Sequence, residues 1–336
     1  MLTDEMGLGY RCNQRIELKR AREERKGDRM HHTLTQALFE LFPQEDKNDF
    51  YHAYLYLKHI EHFMYHALQA QGIPANKPDS VVSDDVNEML EAAIQGVAET
   101  AGSMDTSTYH GKVVKLKDAI QLVTQKKNIS LEPPEQVIPY KEARSIILQN
   151  PDSISVGDCA CRALGENSCL PRDALDVCLF VGDPHASFIG EFNPKFRKIS
   201  QKEAVGVLEA SHEKGFVHCA YFKKDLGRRF VAICNCCSCC CQGMKAWNMF
   251  GGAIPVLAPS GYVAEIDEGC DRCGDCVDAC HFNAIGIDEE NERAIVDSEK
   301  CMGCGVCSDV CPSDWITLHR DPTKGEPLDL AELMKG

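Results

Sequence analysis

The sequence predicts an α+β fold in three parts: a helical N-terminal region, a cysteine-rich α+β middle domain, and a C-terminal module built as β-α-β twice over. Three observations point there. Apolar residues recur at helical spacing between Phe50 and Val97, interrupted by Pro74 and Pro78. All of the 20 cysteines except Cys12 lie between Cys159 and Cys311. The spacing of Cys270, Cys273, Cys276 and Cys280 repeats 31 residues later at Cys301, Cys304, Cys307 and Cys311.

Bulk properties narrow the field. A chain of 336 residues, 44% hydrophobic, has apolar surface enough for real cores. Its net charge of −15 argues against nucleic acid as the main partner, because such binding neutralises phosphates with Lys and Arg. It suits docking onto a basic patch of another protein. The first 29 residues have no apolar core of the kind that marks a secretory signal. No stretch approaches the roughly 18 apolar residues of a membrane span. Cysteines two residues apart suit metal ligation better than bridging. The expectation is a cytoplasmic protein of an anaerobe.

Residues 1–29 read as a polar arm, a solvated helix or tail, with eight Lys/Arg and four Asp/Glu between Arg11 and Arg29. Residues 30–132 read as a helical domain. One helix is expected from Phe50 to Ala70, striped by Phe50, Tyr54, Leu57, Ile60, Met64, Ala67 and Leu68. A second starts after Ser83 and carries Val86, Met89, Leu90, Ala93, Ile94 and Val97, and a shorter one covers Leu116–Thr124. His59, His62 and His66 fall on one helical face, a spacing open to haem or a metal; the favoured reading is ordinary histidines on a partly exposed helix. The Pro133-Pro134 pair marks a linker.

In residues 133–260, Pro139 is placed to start a helix to Gln149, stopped by Pro151. Ser200 and Glu203 form a capping box, with Ala204, Val205, Val207 and Leu208 as the buried face and Gly215 as the stop. Residues 261–320 hold fourteen Asp/Glu against four Lys/Arg. Short apolar runs at Ala284–Ile287, Ala294–Val296 and Trp315–Leu318 read as strands, with a hairpin turn near Asp288–Glu292. Residues 321–336 read as a tail.

A cubane 4Fe–4S cluster needs four converging thiolates. Two-residue spacers wrap the backbone around three corners, and the fourth cysteine of each run is aimed at the other cluster. Cys270, Cys273, Cys276 and Cys311 are therefore assigned to one cluster, and Cys301, Cys304, Cys307 and Cys280 to the second. Gly274, Gly303 and Gly305 allow close backbone approach. Zinc sites pair two C-x2-C knuckles across a longer gap, which these runs do not. This segment resembles the bacterial two-cluster ferredoxins, which implies a ferredoxin-like fold. One departure stands out. His281 follows Cys280 where that family usually has proline; either it hydrogen-bonds near the cluster or it is exposed, and exposure is the favoured reading.

The middle cysteines form two groups: Cys159, Cys161, Cys169 and Cys178, then Cys234, Cys236, Cys237, Cys239, Cys240 and Cys241. Six thiols in eight residues are too many for inert packing, and the ten can hold one or two further clusters, the first four as one site. Arg162 either neutralises thiolate charge or lies on the surface. From Pro134 to Leu318 the layout resembles multi-cluster 4Fe–4S proteins of anaerobic bacteria. That resemblance implies electron transfer beside a flavoprotein or a larger reductase complex. No G-x-G-x-x-G, phosphate-binding loop, C-x3-C-x2-C run or G-x-S-x-G elbow is present, so any organic reaction falls to a partner. The expected function is a relay of single electrons, as a subunit or partner of an anaerobic oxidoreductase, with the helical part fixing the chain to its complex or to a second copy. The alternatives are a redox-sensing regulator, or a thiol–disulfide reductase working through the middle cysteines.

Overall fold

The computed structural model describes residues 29–43, 47–100, 109–252, 256–288 and 293–335. The polar arm and Cys12 lie outside them. Four helices come first: α1 over residues 29–39, α2 (Lys47–Lys58), α3 (Ile60–Ala70) and α4 (Asp84–Thr100). The single helix expected from Phe50 to Ala70 is two. His59 between them has φ −133 and ψ 44, outside the helical region, so the apolar stripe turns a corner there. α2 uses both of its sides. Ala53 and Leu57 face the sheet domain, while Leu55 packs with Leu90 and Ala93 of α4.

The chain then builds a mixed sheet. In order come β1 (Tyr109–Val114), α5 (Leu116–Val123), β2 (Ile129–Leu131), β3 (Ile146–Asp158), α6 (Ala160–Ala163), β4 (Asp176–Asp183), α7 (His185–Phe192), β5 (Phe196–Ile199), α8 (Gln201–Glu213), β6 (Val217–Lys223), β7 (Arg229–Cys236), α9 (Gln242–Phe250) and β8 (Leu257–Ala258). The strand order is β2-β3-β4-β7-β6-β1-β8, with β5 also paired to β3. Every pairing is antiparallel except β1 with β8.

Two expectations change here. Residues 139–149 do not form a helix; Ile146 opens β3. Ile146 and Leu148 alternate with the less buried Ile147 and Gln149 early in the strand, a period of two rather than 3.6. Pro151 sits inside the strand where the β3–β4 register shifts between Gln149 and Ile154, a place where a missing N–H is tolerated. The sheet also takes in Tyr109–Val114 and Ile129–Leu131, residues expected in the helical segment. Gly111 interrupts the apolar pattern of β1; a Cβ there would meet the Leu257 and Tyr221 side chains at 2.7 and 2.9 Å, so these would have to shift.

One face of the sheet buries Leu148, Val156, Leu179, Phe222 and Ile233 against Leu122 of α5 and Leu208 of α8. The other buries Phe180 and Val231 against Leu57 of α2 and Phe188 of α7. Each such side chain contributes about 1.5–3 kcal/mol on burial. The capping box of α8 is complete, with the Glu203 N–H donating to the Ser200 hydroxyl and the Ser200 N–H to the Glu203 carboxylate. The C-terminal segment is not a loose tail. Leu328 and Leu330 are buried in the α5–α8 core, and the buried Lys112 ammonium donates to the Glu326 carbonyl at 2.9 Å.

The last module is built from β9 (Tyr262–Ile266), α10 (Asp275–Asp278), β10 (Ile285–Asp288), β11 (Arg293–Val296), α11 (Val306–Asp309) and β12 (Ile316–Arg320); α12 (Leu330–Leu333) closes the described chain. β9 pairs with β12 and β10 with β11, both antiparallel. The hairpin residues after Asp288 lie outside the described set. Val217 and Tyr221 of β6 and Met244 of α9 share one core with Phe282, Ile285 and Val306, which seats the module at one end of the sheet.

Candidate metal centres

In the C-terminal module each half places its thiols by the same local turns. Gly274 and Gly305 follow the second cysteine of each run, with φ +89 and +94, and each starts a short helix carrying the third. One residue before the second cysteine, Arg272 and Gly303 have φ +59 and +62. Only at Gly303 is a side chain barred outright, since a Cβ would lie 2.2 Å from the Tyr262 carbonyl oxygen.

Cys280 lines the same cavity as Cys301, Cys304 and Cys307, with Ala284, Val306 and Leu318 among its apolar walls. Burial raises the Cys304 thiol above its ordinary range, and Cys307, Cys280 and Cys301 add like-charge repulsion. Burial, then Cys301 and Cys280, push the Cys307 thiol up to about 12. In the other half burial raises Cys276, with Cys270, Cys273 and Cys311 adding to it. Backbone N–H groups of Ala284 and Trp315 donate to Cys280 and Cys311 at 3.2 and 3.3 Å, and Ala264 to Cys301 at 3.5 Å. Crowded thiols in an apolar cavity, already holding N–H donors, fit a cationic iron–sulfur core that relieves their repulsion.

His281 is not exposed. Its Nε2 donates to the Gly215 carbonyl at 2.8 Å, and its Nδ1 accepts from the Ser238 N–H at 3.3 Å, with the Ser238 hydroxyl at 3.1 Å. A carbonyl only accepts and an amide N–H only donates, so the ring is held as one neutral tautomer. Burial lowers its pKa in keeping with that. It joins Cys280 to the loop that holds Cys237 and Cys239.

The middle thiols divide in a way their spacing did not suggest. Cys178 of β4 faces Cys234 of β7 across the sheet, their sulfurs 3.9 Å apart. The Cys159 thiol is lowered, chiefly by its hydrogen bond with Cys161. All four act on one hydroxyl: burial, then Cys178, Cys234, Cys161 and Cys159, raise that of Tyr56. Cys236 packs beside Cys241 and beside Cys219, a thiol no motif spacing singled out and only the β6–β7 pairing brings in. Cys169, expected with the first group, instead meets Cys237, Cys239 and Cys240. Arg162 is buried between them, and of its two expected places this is the charge-neutralising one.

The three histidines of the N-terminal helices do not converge. His62 bonds the Ser80 hydroxyl and His66 the Asn87 side chain, each at 3.0 Å, and His59 lies in the break between helices. Among the described residues no helix is long and apolar enough to cross a membrane.

Residues 269–315 match the family model of the 4Fe-4S dicluster domain. The chain is 32% identical over 116 residues to a tetrathionate reductase subunit of Archaeoglobus fulgidus, covering 31% of this chain and 55% of that one. It is 44% identical over 45 residues to the polyferredoxin-like subunit of the aliphatic sulfonate oxidoreductase of Pyrococcus furiosus, 13% of this chain and 26% of that one. It is 35% identical over 71 residues to an archaeal-type glutamate synthase of Thermotoga maritima, 21% of this chain and 14% of that one. The chain thus spans between about a seventh and about half of the length of these relatives. No solved structure matches it.

Proposed function

We propose that this chain is an iron–sulfur electron-transfer protein that relays single electrons as a subunit or partner of an oxidoreductase in the cytoplasm of an anaerobe. The observation that carries this is the position of Cys280. Its own run supplies three ligands to one cluster, and Cys280 crosses into the cavity of the other run, so the two 4Fe–4S sites share one backbone turn. The ligand sets are Cys270, Cys273, Cys276 and Cys311, and Cys301, Cys304, Cys307 and Cys280. A 4Fe–4S cluster held in either set would take up and return one electron. The chain's part is to fix the thiolates, donate N–H groups to their sulfurs and keep the cavity apolar; these are levers on the reduction potential.

A third cluster is proposed on Cys159, Cys161, Cys178 and Cys234. The Ser238–His281 contact gives the middle domain a direct polar link to Cys280. The module carries ten of the chain's net negative charges. Its partner is therefore proposed to present a basic patch to it, as charge complementarity steers redox encounters. Two of the relatives are themselves named as subunits of oxidoreductases.

The test is a reductive titration of the oxygen-free protein, followed by reoxidation with a one-electron acceptor. At least two electrons per chain, taken up and returned reversibly, is the expected result. A chain that takes up electrons only through reducible disulfides would instead support a thiol–disulfide reductase.

A further inference from the structure

Four middle thiols are spaced unlike all the others. The sulfurs of Cys169, Cys237, Cys239 and Cys240 all lie within 4.8 Å of one another. Cys169 and Cys237 are 3.4 Å apart, Cys237 and Cys239 3.2 Å, Cys239 and Cys240 3.5 Å, and Cys169 and Cys240 4.0 Å. Four thiolates on a single zinc ion at about 2.3 Å stand at the corners of a tetrahedron with edges of about 3.8 Å. A cubane spreads its four thiolates over four irons, so all four of its sulfurs do not stay this close to one another. The C-terminal module supplies an internal measure. Neither of its four-thiol sets converges this tightly, nor does any other group among the described residues.

Charge points to the same place. The Arg162 side chain is 1% exposed. Its Nε and Nη2 donate to the Cys169 and Cys237 sulfurs at 3.5 and 3.3 Å, and its Nη1 to the Asn235 carbonyl at 2.8 Å. The guanidinium lies 4.2 Å from the Phe216 ring centre. No carboxylate pairs with it among the described residues. A buried cation needs a buried anion, and neutral thiols do not provide one. Four thiolates around a divalent ion carry two net negative charges, of which Arg162 offsets one.

We propose that Cys169, Cys237, Cys239 and Cys240 bind one thiophilic divalent ion, zinc or ferrous iron, as a mononuclear tetrahedral centre distinct from the cubane sites. Tetrahedral sulfur donors select these ions. Binding exchanges the four thiol protons for the ion, with no change of oxidation state. Cys169 and Cys239 are exposed and Cys237 and Cys240 buried, so the ion enters from the solvent side. The centre does not depend on the electron-transfer reading, and it limits further clusters to the other middle thiols.

The test is zinc, iron and acid-labile sulfide measured on the full-length protein purified without oxygen. A cubane holds as much sulfide as iron, and a mononuclear centre holds none. The expected result is one metal ion per chain in excess of sulfide, lost in Cys169→Ser and in Cys239→Ser with sulfide unchanged. Zinc or iron as the excess ion equally supports the centre. Metal equal to sulfide in the unmodified protein overturns it, even should the variants fail to fold. So does an excess that survives in Cys169→Ser, or a variant that loses iron and sulfide together. One excess ion in a protein without any sulfide would keep this centre and sink the relay.

Discussion

The C-terminal module and the sheet domain hold thiols in opposite ways. In the module, each run places three sulfurs by its own turns, Gly274 or Gly305 setting the bend, and only the fourth comes from the other run. In the sheet domain each thiol group is completed from distant strands or loops: Cys178 meets Cys234 across β4 and β7, and Cys169 meets Cys237 from a separate loop. The difference teaches that local ligation tolerates a small scaffold, whereas long-range ligation is only as good as the sheet register behind it. A one-residue slip of β7 would turn Cys234 and Cys236 to the opposite face.

The largest expected effect separates the two regions. Cys304→Ser should remove about four irons per chain while leaving the metal at the middle thiols unchanged. Loss of both together, read by metal analysis, would show that the regions form one unit. Next comes Arg162→Met, which strips the buried charge from the thiol group. It should release the middle ion and lower stability by about 3 kcal/mol, read by chemical denaturation, with module iron retained.

Within the module, Gly303→Ala and Gly274→Ala are a matched pair. Both place an alanine at positive φ, at about 1–2 kcal/mol. At Gly303 the Cβ also meets the Tyr262 carbonyl, and nothing lies within 4 Å at Gly274. The thermal midpoint should therefore fall clearly further for Gly303→Ala; equal shifts would mean that the β9 contact yields. The smallest effect is at the junction. His281→Ala leaves the Gly215 carbonyl and Ser238 N–H without their partner, a loss of about 1–2 kcal/mol. His281→Pro, which restores the usual residue of the ferredoxins, should keep the iron yet lose as much stability.

What could be read in advance follows the same division. The two cysteine runs and the Ser200–Glu203 cap are written in short windows, and the structure places each of them on local turns. The helical stripe from Phe50 was legible too, but not its corner, because His59 breaks φ without breaking periodicity. Pro139 and Pro151 look like helix punctuation, and only the pairing of β3 with β4 and β5 decides for a strand. Cys169 could not be grouped by spacing because its partners come 68 residues or more later, and Cys219 stands alone in sequence. His281 reads as exposed in the sequence for a similar reason: its two partners, Gly215 and Ser238, belong to another domain.

The most direct measurement is an oxygen-free potentiometric titration followed by electron paramagnetic resonance, on the full chain and on Cys304→Ser. Two 4Fe–4S centres sharing a backbone turn at Cys280 should each take one electron reversibly and broaden one another's signals, and the broadening should vanish in the variant. Iron that accepts no electron, or zinc in place of iron at Cys301, Cys304, Cys307 and Cys280, would contradict a relay.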